Sequence, residues 1–175
     1  DIGDEAVKFM TVDGHEKVKK YLDDMEQTLA ENGMPAECMT EYFIYTTISY
    51  GEYESKTAIL QGTGTTMDMY EYLEGTPPQN SDEIAVTTLL AKKLDADIGD
   101  TVIVSYPTGE TAEFIITALY QAMVNQGISV RVHTDCDINY IAASGSPGTL
   151  IKFTDDPDDK EVLSRIEKIE ELYPK

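Results

Sequence analysis

Chemistry needs particular side chains at particular spacings, and few places in this chain come near one. His15 and His133 are the only imidazoles. One stands at the start of an expected helix and the other in an expected strand. Neither has a nucleophile or an orienting carboxylate at a motif spacing, and lone histidines of that kind are usually structural or surface groups. Gly145-Ser146-Pro147-Gly148 has a serine between glycines, but the spacing is not that of a nucleophile elbow, and Pro147 cannot open the turn such an elbow needs. Gly62-Thr63-Gly64-Thr65-Thr66-Met67 puts Met67 where the third glycine of a dinucleotide loop belongs. No Gly-Lys-Ser/Thr opens a helix, so the segment reads as a joint and not as a phosphate cradle, and ATP is not an expected ligand.

The acidic clusters fare no better as metal sites. Asp95, Asp97 and Asp100 begin like a calcium loop, but no Asp or Glu closes it, and an expected strand follows instead. Asp155-Asp156-Pro157-Asp158-Asp159 could hold a divalent ion weakly; capping the next helix, whose dipole favours negative charge at that end, explains it more economically. Paired carboxylates for glycoside chemistry want an aromatic-lined cleft, and the chain has no Trp and scattered Tyr. The reading is therefore no catalytic residue, no cofactor and no metal ligand: not an enzyme.

Recognition is a better prospect than catalysis. Of the eleven tyrosines, Tyr42, Tyr45, Tyr50 and Tyr53 cluster on one expected hairpin, and Tyr70 and Tyr72 precede a Pro-Pro turn. Tyr is large, stiff and amphipathic, which suits a binding surface; in a strand-rich chain half of them would simply be core. The four hairpin tyrosines are the candidate recognition surface. The net charge of −20 repels phosphate backbones and excludes nucleic acid as a partner. It would draw cationic partners, or it serves solubility alone. Cys38 and Cys136 are the only cysteines. They form either one disulfide or two buried thiols; a bridge closing a loop of about 100 residues would contribute about 4–5 kcal/mol.

The elements that would position these residues are those of a soluble α+β chain whose 175 residues can bury a real core. No apolar run is long enough to cross a membrane as a helix. The chain lacks an initiator Met and a signal peptide, as would a segment excised from a longer protein or a processed secreted one. Val18, Leu22, Met25 and Leu29 share one face of a helix over 15–31, stopped by Asn32-Gly33. Strands are expected over 40–50 and 56–61, then a joint over 62–66 and a short helical or irregular stretch over 67–73. A strand over 83–86 leads to a short helix that buries Leu89, Leu90 and Leu94. A hairpin follows, with strands over 101–106 and 111–120. Further strands are expected over 128–133, 138–142 and 149–153. A last helix over 157–173 turns Val162, Leu163, Ile166, Ile169 and Leu172 inward. A second joint over 144–148 suggests a lobe of 1–66 and 144–175 with 67–143 inserted.

One run has a more specific order of parts. Gly75-Thr76-Pro77-Pro78 is a turn, Asp82-Glu83-Ile84-Ala85-Val86 a strand and Leu90-Ala91-Lys92-Lys93-Leu94 a helix. Ile98-Gly99-Asp100 is a turn, and Phe114-Ile115-Ile116-Thr117-Ala118-Leu119-Tyr120 closes the hairpin. This resembles the extracytoplasmic, MacB-type periplasmic core domain of FtsX-like ABC-transporter permeases. Thr76 stands where that family has Arg, and Ala118 where it has Gly. The resemblance implies a porter-like α+β lobe built from the two chain ends, with an inserted, mainly-β lobe. It makes Gly75, Pro77, Gly99 and Asp100 turn formers.

The resemblance also implies a place on the extracytoplasmic face of the cell membrane and a non-enzymatic role. Cytoplasmic ATP hydrolysis would be coupled mechanically to export of, or signalling to, a peptide, antibiotic, lipoprotein or cell-wall enzyme. The implied partners are a cytoplasmic ABC ATPase, a second permease copy or paired permease, and a cationic peptide or cell-envelope protein. The alternative from a different class is a free secreted acidic module that captures cationic peptides.

Overall fold

The apolar face of the first helix finds its partner. In a computed structural model, which describes residues 14–136, 138 and 149–174, helix α1 spans Gly14–Glu31, and Val18, Leu22, Met25 and Leu29 are all buried. Each contributes roughly 1.5–3 kcal/mol by leaving water. The helix ends as its sequence signals. Gly33 takes φ +76, its N–H donates to Ala30 O, and the N–H of buried Met34 reaches back to Leu29 O. That pair of bonds satisfies carbonyls the last turn would leave open.

Strands β1 (Ala36–Tyr50) and β2 (Tyr53–Thr63) form a long antiparallel hairpin, in register from Tyr50↔Tyr53 to Thr40↔Thr63. Gly62 and Thr63, expected in a joint, are the last residues of β2. A one-turn 3-10 helix (Met67–Met69) and a two-residue strand β3 (Glu74–Gly75) lead to β4 (Glu83–Thr87), helix α2 (Thr88–Leu94), β5 (Thr101–Ser105) and β6 (Thr111–Tyr120). Strand β7 is Ser129–Val132, β8 is Thr149–Phe153 and helix α3 is Asp159–Leu172. The expected strand over 138–142 lies outside the described residues except for Ile138, which is buried. The expected joint over 144–148 lies outside them entirely.

Strand β1 is used on both edges. One edge pairs with β2; the other pairs with β8 at residues 36–40 and with β5 at 47–49. The path β2-β7-β4-β6-β5-β1 therefore returns to β2 and closes into a ring, with β8 hung on the N-terminal half of β1. Closure leaves those six strands without a long open edge. The α+β class expected from the sequence is the class observed: among the described residues, three α-helices and one mixed eight-stranded sheet. Residues of both expected lobes enter this sheet and one core, since Leu22, Ile44 and Ile59 pack in the same cluster as Ile84, Val102 and Ile116.

Two helix faces differ from expectation. In α2 the buried residues are Leu90, Ala91 and Leu94, while Leu89 is exposed. Positions 90, 91 and 94 are one helical face, and Leu89 precedes it by about 100° of rotation. In α3 the residue facing inward is Arg165. Val162 and Ile169 are half-buried, and Leu163, Ile166 and Leu172 are exposed at 65%, 45% and 36%. The reason is what lies beneath: strand β8 is at the sheet's end and offers only Ile151 and Phe153 to the core side.

Candidate functional site

The turn formers named from the sequence converge on one defect in the wall of the ring. Strands β4 and β6 pair Ile84↔Ile116 and then Ala85↔Ala118, so Thr117 is an extra residue, a β-bulge. The bulge resets the alternation of side chains. Before it, Phe114 and Ile116 point into the main core; after it, Leu119 does, while Ala118 and Tyr120 pack with Ala85 on the other face. A strap over residues 64–78 runs along the edge of β6 as β3, on the side opposite β4, and its Tyr72 packs on that outer face. Its Leu73 and Thr76 N–H groups donate to Leu119 O (2.8 Å) and Thr117 O (2.9 Å).

Gly75 makes the docking possible. Its φ is +81, and a Cβ there would run into the Thr117 carbonyl oxygen and sit 2.9 Å from the Ala118 Cα. Pro77 is half-buried and its carbonyl accepts from Gln79 Nε2 at 3.0 Å. The turn after it is pinned by Glu83, which the sequence reading did not single out. Its carboxylate accepts from Gln79 N (2.7 Å), Asn80 N (3.2 Å) and Asn80 Nδ2 (2.9 Å). Those donors, the Gln79 N–H first, hold its pKa below the ordinary glutamate value.

Gly99 and Asp100 form the second turn. Gly99 takes φ +98 and its N–H donates to Ile116 O at 2.8 Å; Asp100 O accepts from Ile116 N at 2.9 Å. The Asp100 carboxylate accepts from Asp97 N at 2.8 Å, closing the turn on itself. Tyr50 also hydrogen-bonds to that carboxylate, which raises the tyrosine's pKa and ties the tip of the β1–β2 hairpin to the turn.

The four hairpin tyrosines do not share a surface. Tyr42 is fully buried, because even-numbered residues of β1 face the core; Tyr45 and Tyr53 are each 53% exposed, and Tyr50 is half-buried against the Asp100 turn. Tyr45 stacks edge-on against Phe43 with ring centroids 4.7 Å apart. The tyrosines that gather are others. Tyr70, from the strap, lies over Arg131 with 3.6 Å from guanidinium to ring centroid, and Tyr120 is 5.9 Å away. Arg131 donates to Glu41 at 2.5 Å and is 7% exposed. Burial pushes the Tyr120 hydroxyl up to about 12, and that hydroxyl shares a 2.7 Å bond with Ser129 Oγ. Gly62 belongs to the same group, because a Cβ there would meet the Tyr70 hydroxyl.

The sequence reading missed Arg131 and also Arg165. The available signal was scarcity: they are the only two arginines in the chain. Arg165 forks onto Asp155 (2.7 and 2.6 Å), pairs with Glu161 and lies 4.8 Å over the Phe153 ring. Asp158 Oδ1 caps α3 by accepting from Glu161 N at 2.8 Å. The acidic run there thus meets an arginine and a helix N-terminus.

The remaining candidates sit apart. His133 follows β7, and its Nδ1 accepts from Asp135 N at 3.1 Å; it lines an open cavity of about 500 Å³ with the Lys19–Asp135 ion pair, Thr66 and Pro78. His15 lies in the first turn of α1. Cys38 and Cys136 are both free and buried. Burial, then the nearby Glu26 carboxylate, pushes the Cys38 thiol up to about 11, while Cys136 Sγ donates to Ser81 O at 3.2 Å. Fully buried Gln61 donates to the carbonyls of His133 (3.0 Å) and Cys136 (2.5 Å), fixing that loop. Among the described residues no three His, Cys, Asp or Glu side chains converge as a metal site would need.

Solved structures share this fold over most of the chain. The periplasmic region of MacB from Actinobacillus actinomycetemcomitans superposes with a TM-score of 0.59 at 13% identity, over 86% of this chain and 73% of that one. The extracellular domain of the noncanonic ABC-type transporter YknZ from Gram-positive bacteria gives 0.55 at 11% identity, over 81% and 75%. A domain of a protein described as a permease from Porphyromonas gingivalis gives 0.51 at 11%, over 86% and 70%. The chain has the fold of these extracytoplasmic transporter domains. No protein-family model matches it, and no curated protein sequence does. The 69–122 run supplies most of the strap, the bulge and both turns, and no helix among the described residues is long and apolar enough to cross a membrane.

Proposed function

We propose that this chain is the extracytoplasmic domain of an ABC-transporter permease, acting mechanically and without chemistry of its own. The observation that carries the reading is the likeness to the MacB periplasmic region over 86% of the chain. In this reading a cytoplasmic ATPase moves membrane helices joined to the domain, and a second permease copy or a paired permease completes the assembly. Motion enters through α1 and α3, which touch where Lys168 Nζ donates to Asn32 O at 2.8 Å. The closed ring carries it outward as a stiff body, to export or signal to a peptide, antibiotic, lipoprotein or cell-wall enzyme. The acidic surface favours a cationic peptide among these, or a cell-envelope protein with a basic face.

The test is topology in living cells. With Asp156→Cys introduced in the parent protein, a membrane-impermeant maleimide should label intact cells, and an ATPase should co-purify with the membrane-bound protein. Labelling only after lysis would overturn the reading. Recovery of the chain free in the medium would also overturn it, leaving a secreted acidic module that captures cationic peptides.

A further inference from the structure

We propose that the strap is a latch: it releases from the ring as a segment while the ring stays folded, and the Tyr70 and Tyr72 hydroxyls bias it toward release. Both ends of the strap are fixed. Gly64 takes φ +77 and lies so close to β1 that a Cβ there would sit 2.5 Å from the Cys38 carbonyl oxygen. At the other end the Gln79 and Asn80 N–H groups are held by Glu83. Between these ends little is covered. Asp68, Glu71, Glu74 and Thr76 are exposed, as are Met69 at 51% and Leu73 at 57%. Strand β3 pairs with β6 at two positions, Glu74↔Leu119 and Gly75↔Ala118. A segment with few buried contacts opens at lower cost than the core it lies on.

Two aromatic rings hold the middle of the strap. Tyr70 lies over the Arg131 guanidinium, and Tyr72 packs on Ala85, Ala118 and Tyr120. The rings are matched by the surface beneath them, and the hydroxyls are not. Both hydroxyl oxygens are shielded from solvent, and neither has a hydrogen-bond partner among the described residues. The Tyr70 hydroxyl abuts Gly62, where a Cβ would clash with it, while Arg131 donates to Glu41. Tyr120 is the contrast, since its hydroxyl shares a bond with Ser129. Burial raises the pKa of Tyr70 and pushes the Tyr72 hydroxyl up to about 12, so both phenols stay protonated at neutral pH. A buried hydroxyl that the protein leaves unpaired opposes its own burial, and water pairs it once the segment lifts. The rings draw the strap down and the hydroxyls push it off, within one contact. Release would bare the Arg131–Glu41 pair and the Thr117 and Leu119 carbonyls on the edge of β6.

Native-state hydrogen exchange on the 175-residue chain tests the latch. The Leu73 and Thr76 amides report the strap, and the Ile116 amide, bonded to Asp100 O, reports the ring. Corrected for intrinsic rates, the strap amides of the wild-type chain should exchange at least about a hundredfold faster than Ile116. They should also respond less to low urea, because less surface opens. Tyr70→Phe and Tyr72→Phe keep the rings and remove only the hydroxyls. Each should slow strap exchange by about tenfold, against the usual direction for a lost polar group. Tyr45→Phe, at an exposed ring off the strap, should change it by less than about twofold.

A single shared rate for Leu73, Thr76 and Ile116, with one urea dependence, would overturn the latch, because the strap would then open only when the whole fold does. Strap exchange that is unchanged or faster in both Phe variants would overturn the bias, because the hydroxyls would then be satisfied in the docked strap by water held there. None of these outcomes bears on the labelling of intact cells, and failure of that labelling leaves the latch standing.

Discussion

Both arginines of this chain are buried, each against a carboxylate and an aromatic ring, yet they hold different things. Arg131 draws two partners from far along the chain, Glu41 of β1 and Tyr70 of the strap, and a nearer third, Tyr120 of β6. Arg165 takes all of its partners from within twelve residues, at Phe153, Asp155 and Glu161. The first closes long loops and fastens the strap to the ring. The second joins the end of β8 to the first turns of α3. A buried charge tied to distant segments stabilises the whole fold; one tied locally stabilises a piece that can move. In a domain proposed to pass motion from helices to a ring, the division is functional as well as structural.

The sharpest way to break the contrast is to delete each arginine. Arg131→Ala leaves Glu41 without its partner and Tyr70 without its support, and should cost about 3 kcal/mol of global stability. Arg165→Ala should cost only about 1 kcal/mol, because its carboxylate partners are 38% and 53% exposed and can rehydrate. Urea denaturation followed by circular dichroism measures both; equal losses would erase the distinction. The next effect belongs to the strap. Gly75→Ala forces a side chain into positive φ and against the Thr117 carbonyl, and should cost about 2 kcal/mol. Hydrogen exchange at the Leu73 and Thr76 amides should rise most, since their acceptors lie beside Gly75 on β6, at and just after the bulge. If exchange rises equally in α1, the strap is not a separate docking element.

Local pattern carried much of this structure and long-range pairing did not. The spacing of Val18, Leu22, Met25 and Leu29 specified both a helix and its buried face, because period and burial agree there. The hairpin of β1 and β2 and the order of parts over 69–122 were equally readable, as tight turns with Gly51, Gly75 and Gly99 mark them. Nothing in the alternation of residues 36–50 says that one strand borders three others, so ring closure was invisible. The bulge at Thr117 was hidden too, since an extra residue leaves Phe114, Ile116 and Leu119 looking like a simple apolar run.

The tyrosine expectation failed at Tyr42 for the same reason. Clustering in sequence says nothing about which side of a pleat each residue takes. The Arg131 group needs residues 41, 62, 70, 120 and 131 together, which no local spacing encodes. For α3 the error ran the other way. A clean apolar stripe was present, but the sheet beneath it is too narrow to cover Leu163 and Ile166.

The smallest expected effect bears most directly on whether α3 is the movable piece. Asp155 has its pKa lowered, chiefly by the hydrogen bonds from Arg165. A group whose folded pKa lies below its unfolded value binds more protons when released, so its contribution is complete above the ordinary aspartate range and is lost as pH falls through the folded value. Glu83 follows the same sign through its bonds to the 79–80 turn. Acidification should therefore loosen two local devices, the α3 staple and the turn beside the strap, before the ring itself opens. Backbone amide protection in α3, corrected for intrinsic exchange, should fall on acidification below about pH 4 in the wild-type chain. In Asp155→Asn it should start lower and change little over the same range, while the protection of β4 and β6 stays constant in both. Loss of protection in α3 and the ring together, at one pH and in both chains, would mean that Arg165 is part of the global fold after all and that the β8–α3 unit does not move on its own.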